Sequence, residues 1–530
     1  MLAADDTAQA PPRPFAAPAA KASRGVRLLA WETGAVAAVL AVAGVLRFWA
    51  IGRQGFWFDE AHTGWMLRNG LGRMLAGVPR TESAPPLYYA LAWFWVRVFG
   101  DTEVGLRSLS AVAGLATVPF AMATARAASG RRAGLICGVL LAVNPLLIWY
   151  SQEARAYSVL VLASTIALWL FVRARDRPSG PRLGAWAAAA IAAMWTHYFA
   201  AFLILPEALL LLGGASVSRR ARAATALALA LACVPLVAMA GGQSGLAYWI
   251  HNIPLTTRIR QVVEQFVVGF APPASTPLAL LGLALVAPAA VLLARVSRRE
   301  RGMVIALAGV AGTSLALPLL GRWAGLDYFD GRNVVATLVP TAIVVAIGLS
   351  VRRARGLGLL LAAALTVLCV ASVVRVWGDA GAQRPGWNRV AAVLGAPRAP
   401  RAILLTGGSA SWAVPLAFHL RHTWWVPRTG ARVRELDVVA RLRTPAQCAG
   451  RAWWGPLCNI APDHVSRRSP IAGFDFVDTR LVAGFAITRF RSAAPRKVFP
   501  RRPFLDPRLV RPTRRKRQLL LTPRSEPVIV

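Results

Sequence analysis

Charged residues are scarce in this chain, for only 16% of its 530 residues are Asp, Glu, Lys or Arg, whereas 56% are hydrophobic. A water-soluble protein of this length needs far more polar surface, so the composition excludes an ordinary soluble globular protein. Apolar runs of about 17–25 residues, the length that a helix needs to cross a bilayer, recur along most of the chain. Helices satisfy their own backbone groups where no water is present. The sequence therefore predicts a polytopic α-helical membrane protein.

Acidic residues are scarcer still, with 23 Asp and Glu against 61 Lys and Arg, which leaves a net charge of +38. Such an excess of basic residues would suit nucleic-acid binding if it formed one continuous patch. Here the arginines fall mainly in short clusters between apolar runs, which is the pattern of membrane orientation signals. We therefore predict membrane lipids as partners and no nucleic acid.

Cysteine is also sparse, with five residues in the chain. Cys137, Cys233 and Cys369 fall within apolar runs, where cysteine behaves as a small apolar residue. Cys448 and Cys458 lie in "CAGRAWWGPLC", whose spacing matches no paired zinc motif. In an oxidising compartment these two could form a disulfide bond, so they are the disulfide candidate of the chain.

The arginine clusters set the predicted topology. If every cluster faces the cytoplasm, the apolar runs between two clusters must cross the membrane an even number of times. The segment 86–99 is apolar and aromatic but too short to cross, so we expect an interfacial helix there. About eleven spans remain: 28–50, 107–126, 133–150, 157–173, two short spans within 183–214, 222–240, 276–294, 302–320, 334–350 and 356–376.

Four regions follow from this pattern. Residues 1–26 are rich in Ala and Pro and are predicted to be a disordered cytoplasmic tail, and residues 495–530 a basic disordered tail. The membrane module covers 27–376, begins with a retained anchor and not a cleaved signal peptide, and carries a long outer loop at 52–106. Residues 377–494 contain alternating runs such as "GFDFVDTRLVAGFAITRFR", which predict a small α/β domain outside the cytoplasm.

Polar side chains with chemical potential collect on the predicted outer face. The first loop carries "GFWFDEAHTGW", where Asp59 and Glu60 are adjacent acids beside aromatic rings. Carboxylates suit proton abstraction and arginines suit phosphate binding, so we expect one outer site. The same first loop carries Glu82, and the other outer loops contribute Gln152, Glu153, Arg155, Tyr157, His197, Tyr198, Arg322, Asp327, Tyr328, Asp330 and Arg332.

Several stretches in succession resemble a known family. An outer "DE" after the first span, "PPLYY", "FGDTEVGLRSLSAV" and "NPLLIWYSQEARAYSVLVL" are similar to the GT-C class of membrane glycosyltransferases. The nearest resemblance is to family 39, the protein O-mannosyltransferases and aminoarabinose-transferase-like enzymes, and it covers about residues 28–375. The resemblance implies an active site on the outer face of the plasma membrane.

The resemblance also assigns roles to residues. It implies a polyprenyl-phosphate sugar as donor, with mannose or another hexose or pentose as the sugar, and a protein, lipid or polysaccharide hydroxyl as acceptor. Asp59 would be the general base, and Glu60 would be the second acid. Arg107 matches a residue associated with the lipid phosphate. The substrate and phosphate set is Glu82, Arg107, Gln152, Glu153, Arg155, Tyr157, His197, Tyr328 and Arg332.

Two positions depart from the family pattern. Asn333 stands where a tyrosine follows the arginine, and Ala84 stands where a histidine precedes "PPLYY", with Glu82 as its substitute. Direct displacement at the anomeric carbon would invert its configuration. The clustered acids leave a divalent metal open, but the arginines make one unnecessary, so no cofactor or metal site is predicted.

A transporter or flippase for a lipid-linked sugar is the alternative function. Such a protein would show internal repeats and acids deep within its spans. The acids of this chain gather instead at one predicted face, which favours the transferase.

The topology makes the first testable prediction. Single cysteines placed near Ser83 and Gly331 should react with an impermeant maleimide in intact cells, whereas cysteines near Gly180 and Arg299 should react only after permeabilisation. Labelling near Gly180 in intact cells would invert the topology and separate the polar loops from one another.

Overall fold

The computed structural model of the chain describes residues 19–270, 274–379, 382–406, 413–420, 423–425, 429–442, 466–499 and 518–521. Helices dominate as far as residue 394, and a small sheet domain follows. The predicted fold class, a helical membrane protein with a C-terminal α/β domain, is therefore confirmed. Cys448 and Cys458 lie outside the described residues.

The helical part consists of long apolar helices joined by shorter ones. Its α-helices are α1 Ala19–Phe48, α2 Phe58–Leu67, α3 Leu71–Thr81, α4 Leu87–Phe99, α5 Glu103–Ser129, α6 Arg131–Val143, α7 Pro145–Ser151, α8 Tyr157–Asp176, α9 Gly180–Thr196, α10 Ala201–Leu212, α11 Arg219–Gln243, α12 Leu255–Val268, α13 Ser275–Leu293, α14 Arg298–Gly321, α15 Leu338–Leu349 and α16 Arg355–Gly378.

Six of the described helices are long and apolar enough to cross a membrane, or seven if the bent pair α6 and α7 counts as one span. Shorter apolar helices occur at 87–99, 198–212 and 335–349. The helix α4 has 13 residues, which gives a length of about 20 Å against about 30 Å of hydrocarbon. Tyr88 and Tyr89 on this helix are buried, whereas Phe94 and Val98 are exposed, so lipid would contact the side of the helix that carries Phe94 and Val98.

The C-terminal domain is one mixed sheet with two helices, α17 Trp387–Leu394 and α18 Ala413–Leu420. Its strands are β1 Arg401–Thr406, β2 Thr423–Trp425, β3 Ala431–Arg441, β4 Asp475–Val482, β5 Phe485–Val498 and β6 Gln518–Leu521. They lie in the order β2-β6-β1-β3-β5-β4. The pairs β2-β6, β6-β1 and β1-β3 are parallel. The pairs β3-β5 and β5-β4 are antiparallel.

Two predicted tail boundaries are wrong. The helix α1 begins at Ala19, within the segment 1–26 that we expected to be disordered. Residues 518–521 of the predicted basic tail form β6, which pairs with β1 on one side and β2 on the other. The backbone of the short apolar run "QLLL" pairs with both neighbouring strands. The sequence did not predict this strand because the overall composition of the segment is basic, and four apolar or uncharged residues change that composition little.

The sheet domain contacts the helical part through α18 and α2. Phe418 on α18 is buried and packs edge-on against Phe56, with ring centroids 5.3 Å apart, and against Trp65 at 6.1 Å. The guanidinium of Arg68 lies 3.8 Å from the centre of the Phe418 ring. At Gly64 a Cβ atom would come within 2.7 Å of the Phe418 ring, so α2 and α18 approach closely there. The sheet domain thus supports the helix that carries Asp59.

The Phe418 contact can be tested by truncation. Phe418→Ala should destabilise the docked domain by roughly 3–5 kcal/mol, because a buried ring leaves a cavity. Thermal unfolding in detergent and limited proteolysis would measure the loss. Phe499→Ala is the matched control, since Phe499 belongs to the same domain but is 54% exposed. An equal effect of both variants would show that α18 does not hold α2.

Candidate active site

Glu60 lies at the centre of the buried polar cluster and has no exposure to solvent. Its carboxylate accepts two hydrogen bonds from Arg107, one from Nε at 2.7 Å and one from Nη2 at 2.7 Å. It also accepts the backbone N–H of Ala154 at 2.9 Å and that of Trp57 at 3.3 Å. Arg384 adds a guanidinium Nε at 3.7 Å. Every side of this carboxylate therefore faces a donor or a positive charge.

These contacts keep Glu60 ionised. Burial by itself raises the pKa of a carboxyl, but the charges of Arg107 and Arg384 and the hydrogen bonds from Arg107 and Ala154 hold the pKa of Glu60 below its ordinary value. A carboxylate held this tightly is a poor proton acceptor. Its geometry suits a positioning role.

Arg107 was predicted to bind the lipid phosphate, and the structure does not leave it available. All five of its N–H groups are used within the protein. Two donate to Glu60, and the other three donate to the carbonyl oxygens of Ile51 at 3.0 Å, Gln54 at 2.7 Å and Gly55 at 3.0 Å. Arg107 therefore holds the loop before α2 in place, and its 1% exposure agrees with that role.

Arg384 belongs to this cluster, although its sequence context did not single it out. Its Nη2 donates to Glu153 at 2.9 Å, and its guanidinium lies 4.2 Å from the centre of the Trp149 ring. Its backbone N–H donates to Gln54 at 3.0 Å. Burial is the main influence on Glu153 and raises its pKa against the opposing charge of Arg384. An arginine on the predicted outer side of the last span runs against the orientation rule, and this could have drawn attention to it.

A second polar cluster surrounds Glu82, which is also buried. Its Oε2 accepts hydrogen bonds from Tyr89 at 2.5 Å and from Arg155 at 2.8 Å. Arg155 in turn donates to Thr63 on α2 at 3.1 Å. The other carboxylate oxygen of Glu82 lies 3.5 Å from Nε2 of His62. Through Arg155, this cluster ties the 152–156 turn to the helix that carries Asp59.

Asp59 differs from the neighbouring acids because its carboxylate is accessible. Its side chain is 21% exposed, and its ion-pair partner is Nη1 of Arg332 at 3.7 Å. No side-chain hydrogen bond to this carboxylate occurs among the described residues. The Arg332 guanidinium lies 4.5 Å from the Trp249 ring and 5.9 Å from the Trp57 ring. The accessible Asp59 carboxylate thus lies beside the Arg332 guanidinium, which is in contact with two indole rings.

The loop that carries Arg332 is held by its own polar contacts. Arg258 forms a bidentate pair with Asp327, at 2.7 and 2.8 Å, and also donates to the carbonyl of Phe329. The hydrogen bonds from Arg258 lower the pKa of Asp327. Asp330 lies 3.4 Å from Nε of Arg332, which orients the guanidinium toward Asp59. Asn333 donates to the carbonyl of Tyr328, so it stabilises the loop from the position where a tyrosine was expected.

The remaining predicted site residues divide between the frame and the site wall. Gln152 donates to the carbonyl oxygens at the end of α1, those of Leu46, Arg47 and Trp49, and therefore caps that helix. Tyr157 and His197 are buried and in ring contact at 5.7 Å. Burial, helped by Arg155 and Arg332, lowers the pKa of His197 to about 3, so this imidazole is neutral at physiological pH.

An apolar cavity of about 680 Å³ begins beside this site. Tyr328 is one of its lining residues, and the Tyr328 ring lies 5.7 Å from that of Phe199, whose ring lies 5.0 Å from that of His197. Side chains from α9, α10, α11 and α14 form the rest of its wall. They include Met194, Phe202, Leu205, Leu209, Leu212, Leu229, Cys233 and Leu317, and Leu326 from the loop after α14 also lines the cavity.

No group of three or more His, Cys, Asp or Glu side chains that could hold a metal ion occurs within the described ranges. The ionisable groups of the site are instead paired acids and arginines. Such an arrangement can take up a proton at an open carboxylate and can bind an anionic group at an arginine.

Residues 83–239 match the family model described as dolichyl-phosphate-mannose-protein mannosyltransferase. The comparison with curated proteins found no match. The matched segment begins next to Glu82 and includes Arg107, the 152–157 turn and His197.

The fold is also similar to solved structures. Apo ArnT from Cupriavidus metallidurans is 13% identical, and the alignment covers 86% of this chain and 98% of that one with a TM-score of 0.53. The Archaeoglobus fulgidus oligosaccharyltransferase bound to Zn and sulfate is 14% identical, with 72% and 61% covered and a TM-score of 0.46. The chain thus spans about three fifths of the archaeal enzyme.

A third alignment is more limited. The Saccharomyces cerevisiae Pmt1–Pmt2 protein O-mannosyltransferase complex, bound to its sugar donor, is 18% identical, with 42% of this chain and 33% of that one covered and a TM-score of 0.31. The family match over residues 83–239 and the fold shared with ArnT confirm the predicted resemblance of this chain to the GT-C membrane glycosyltransferases.

Proposed function

We propose that this protein transfers a sugar from a polyprenyl-phosphate donor to an acceptor hydroxyl at the outer face of the plasma membrane. The acceptor belongs to a protein, a lipid or a polysaccharide. The family match and the ArnT-like fold support glycosyl transfer as the reaction class. The contacts around Asp59 and Arg332 support the assignment of roles within it.

The observation that carries the proposal is the accessibility of Asp59. The nearby acids Glu60, Glu82 and Glu153 are each no more than 3% exposed and lie against arginines, whereas the Asp59 side chain is 21% exposed. A general base must reach the hydroxyl whose proton it removes. Asp59 meets that requirement, and its place in the first turn of α2 keeps the carboxylate close to the helix N-terminus, which stabilises its charge.

Arg332 takes the leaving phosphate in this mechanism. Its Nη1 is 3.7 Å from Asp59, which is near enough for charge attraction but beyond the usual hydrogen-bond distance. Binding of substrate would separate the two groups, so that a phosphate oxygen pairs with Arg332 and the acceptor hydroxyl donates to Asp59. Arg107, by contrast, has no N–H left to donate.

The apolar cavity takes the first part of the polyprenyl chain. Its volume of about 680 Å³ and its wall of Leu, Ala and Phe side chains suit a hydrocarbon. Tyr328, which belongs to the same loop as Arg332, is one of its lining residues. A lipid chain in the cavity would therefore place its phosphate toward the arginine. The ArnT of C. metallidurans has been solved with bound undecaprenyl phosphate, a ligand of this kind.

The transfer is then a single displacement. Asp59 removes the proton of the acceptor hydroxyl as that oxygen attacks the anomeric carbon, and the bond from this carbon to the phosphate oxygen breaks. The electron pair of the broken bond stays on the polyprenyl phosphate, where Arg332 pairs with it. One displacement inverts the anomeric configuration.

Asp59→Asn tests the base. The amide keeps the shape of the side chain but cannot accept the proton, so transfer should fall roughly 10²–10⁴-fold. The protein should reach the membrane at its normal level, because the Asp59 carboxylate is not part of the buried clusters. Mass spectrometry of envelope glycans and glycoproteins, in cells whose only copy is the variant, measures the loss. Unchanged glycans would remove Asp59 from the mechanism.

Glu60→Gln is the matched comparison because it alters the adjacent acid in the same way. It should lower thermal stability, since breaking a buried ion pair typically costs about 3–5 kcal/mol. A stable, fully folded Glu60→Gln protein would contradict its assignment as the residue that positions α2.

Arg332→Lys tests the phosphate role. Lysine keeps the charge but lacks the paired donors of the guanidinium, so the KM for the lipid donor should rise roughly tenfold while the thermal stability stays the same. Steady-state kinetics in reconstituted vesicles would measure the change. Arg322→Lys is the control, since Arg322 begins the same loop but is about half exposed and lies away from Asp59. A donor KM unaffected by Arg332→Lys would exclude Arg332 as the phosphate ligand.

A further inference from the structure

A second polar cavity, of about 360 Å³, lies in the C-terminal domain, on the face of the sheet that α17 covers in part. It shares no residue with the candidate active site. Its wall is made by the end of α17 and the following loop together with β1, β3, β4 and β5. The lining residues are Val393, Leu394, Ala396, Arg398, Arg401, Glu435, Val477, Asp478, Arg480, Arg489 and Arg491.

The strand register brings charges of both signs to this face. Arg489 on β5 pairs across the sheet with Asp437 on β3 and with Asp478 on β4. Its Nε donates to Asp437 at 3.1 Å. Arg491, two residues further along β5, lies opposite Glu435 and approaches it to 3.5 Å. Part of the arginine charge is therefore used to hold the strands together.

Arg401 makes the floor of the cavity rigid. It is buried, and its guanidinium donates to the carbonyl oxygens of Leu394 at 2.7 Å and Gly395 at 2.8 Å, which end α17. The same guanidinium lies 3.1 Å from Asp437. The end of the helix, the first strand and the buried carboxylate are thus fixed to one another, and the cavity keeps its shape without a ligand.

The cavity has more positive than negative charge. Five arginines line it against Glu435 and Asp478, with Asp437 beneath them, which leaves two positive charges unbalanced. Arg480 and Arg491 are 58% and 46% exposed. Arg398 is exposed at the rim and makes no ion pair in the part of the chain that the structure describes. Guanidinium groups from a loop and from two strands therefore reach one small space.

We propose that this cavity binds a small organic phosphomonoester. Such a group carries about −1.5 to −2 charges and three acceptor oxygens at neutral pH, which matches the unbalanced charge and the separate directions of the arginines. A volume of about 360 Å³ is at the small end of the range for ligand pockets. Val393, Leu394 and Val477 add only a small apolar part to the wall, so polar contacts would hold the ligand.

The experiment is a titration of the full-length protein in detergent with glucose 1-phosphate, followed by isothermal calorimetry. We expect saturable binding that the double variant Arg398→Gln/Arg480→Gln weakens roughly tenfold or more, because each lost charged contact is worth about a factor of ten. Both side chains are exposed, so the variant should unfold at the wild-type temperature. Asp59→Asn should bind as the wild type does, which separates this site from the proposed transferase activity.

Arg432→Gln/Arg434→Gln is the control, because it also removes two positive charges, from exposed positions of β3 that do not line the cavity. An equal loss of binding in this control would reduce the effect to the general charge of the domain and overturn the proposal. So would the absence of saturable binding to both glucose 1-phosphate and phosphatidate vesicles, or tighter binding of glucuronate, which carries a carboxylate instead. Vesicles that contain phosphatidate form a second arm. Binding to them alone, lost in the double variant, would assign the phosphomonoester to a lipid headgroup.

Discussion

A carboxylate that is shut off from water must have its charge balanced by fixed partners, and this requirement at Glu60 organises the site. Arg107 supplies two hydrogen bonds, Ala154 supplies one, and Arg384 adds a nearby charge. These partners come from three distant parts of the chain. Because each is needed to balance one charge, α2, α5, the turn after α7 and the linker to the sheet domain are held in one arrangement.

The adjacent acids then acquire different roles from the geometry of the helix. Successive residues of an α-helix point about 100° apart, so Glu60 faces inward and Asp59 faces the loop of Arg332. The buried acid is held in its ionised form, and the accessible acid forms an ion pair with Arg332 at 3.7 Å. The contacts around Glu60 thus fix the helix that places Asp59 next to Arg332.

The sheet domain contacts the candidate site through a helix and a linker. Its helix α18 packs on α2 through Phe418, and the linker that leads into it carries Arg384. Gly55 is needed at this junction, since a Cβ atom there would lie 2.8 Å from the backbone of Pro385 and of Trp387. The same domain has an arginine-lined cavity on its sheet, so it contributes both to the frame of the site and to a separate binding surface.

Apolar run lengths and arginine clusters by themselves determined the membrane class, and the short motifs determined the GT-C resemblance and pointed to Asp59 and Arg332. These are local properties, readable from neighbours in sequence. Only the tertiary structure showed that Arg107 donates all its hydrogen bonds to Glu60 and to the loop before α2. It also showed that Gln152 caps α1 and that Arg384 belongs to the Glu60 cluster. A side chain's role depends on which partners use its hydrogen bonds, and those partners lie up to hundreds of residues away.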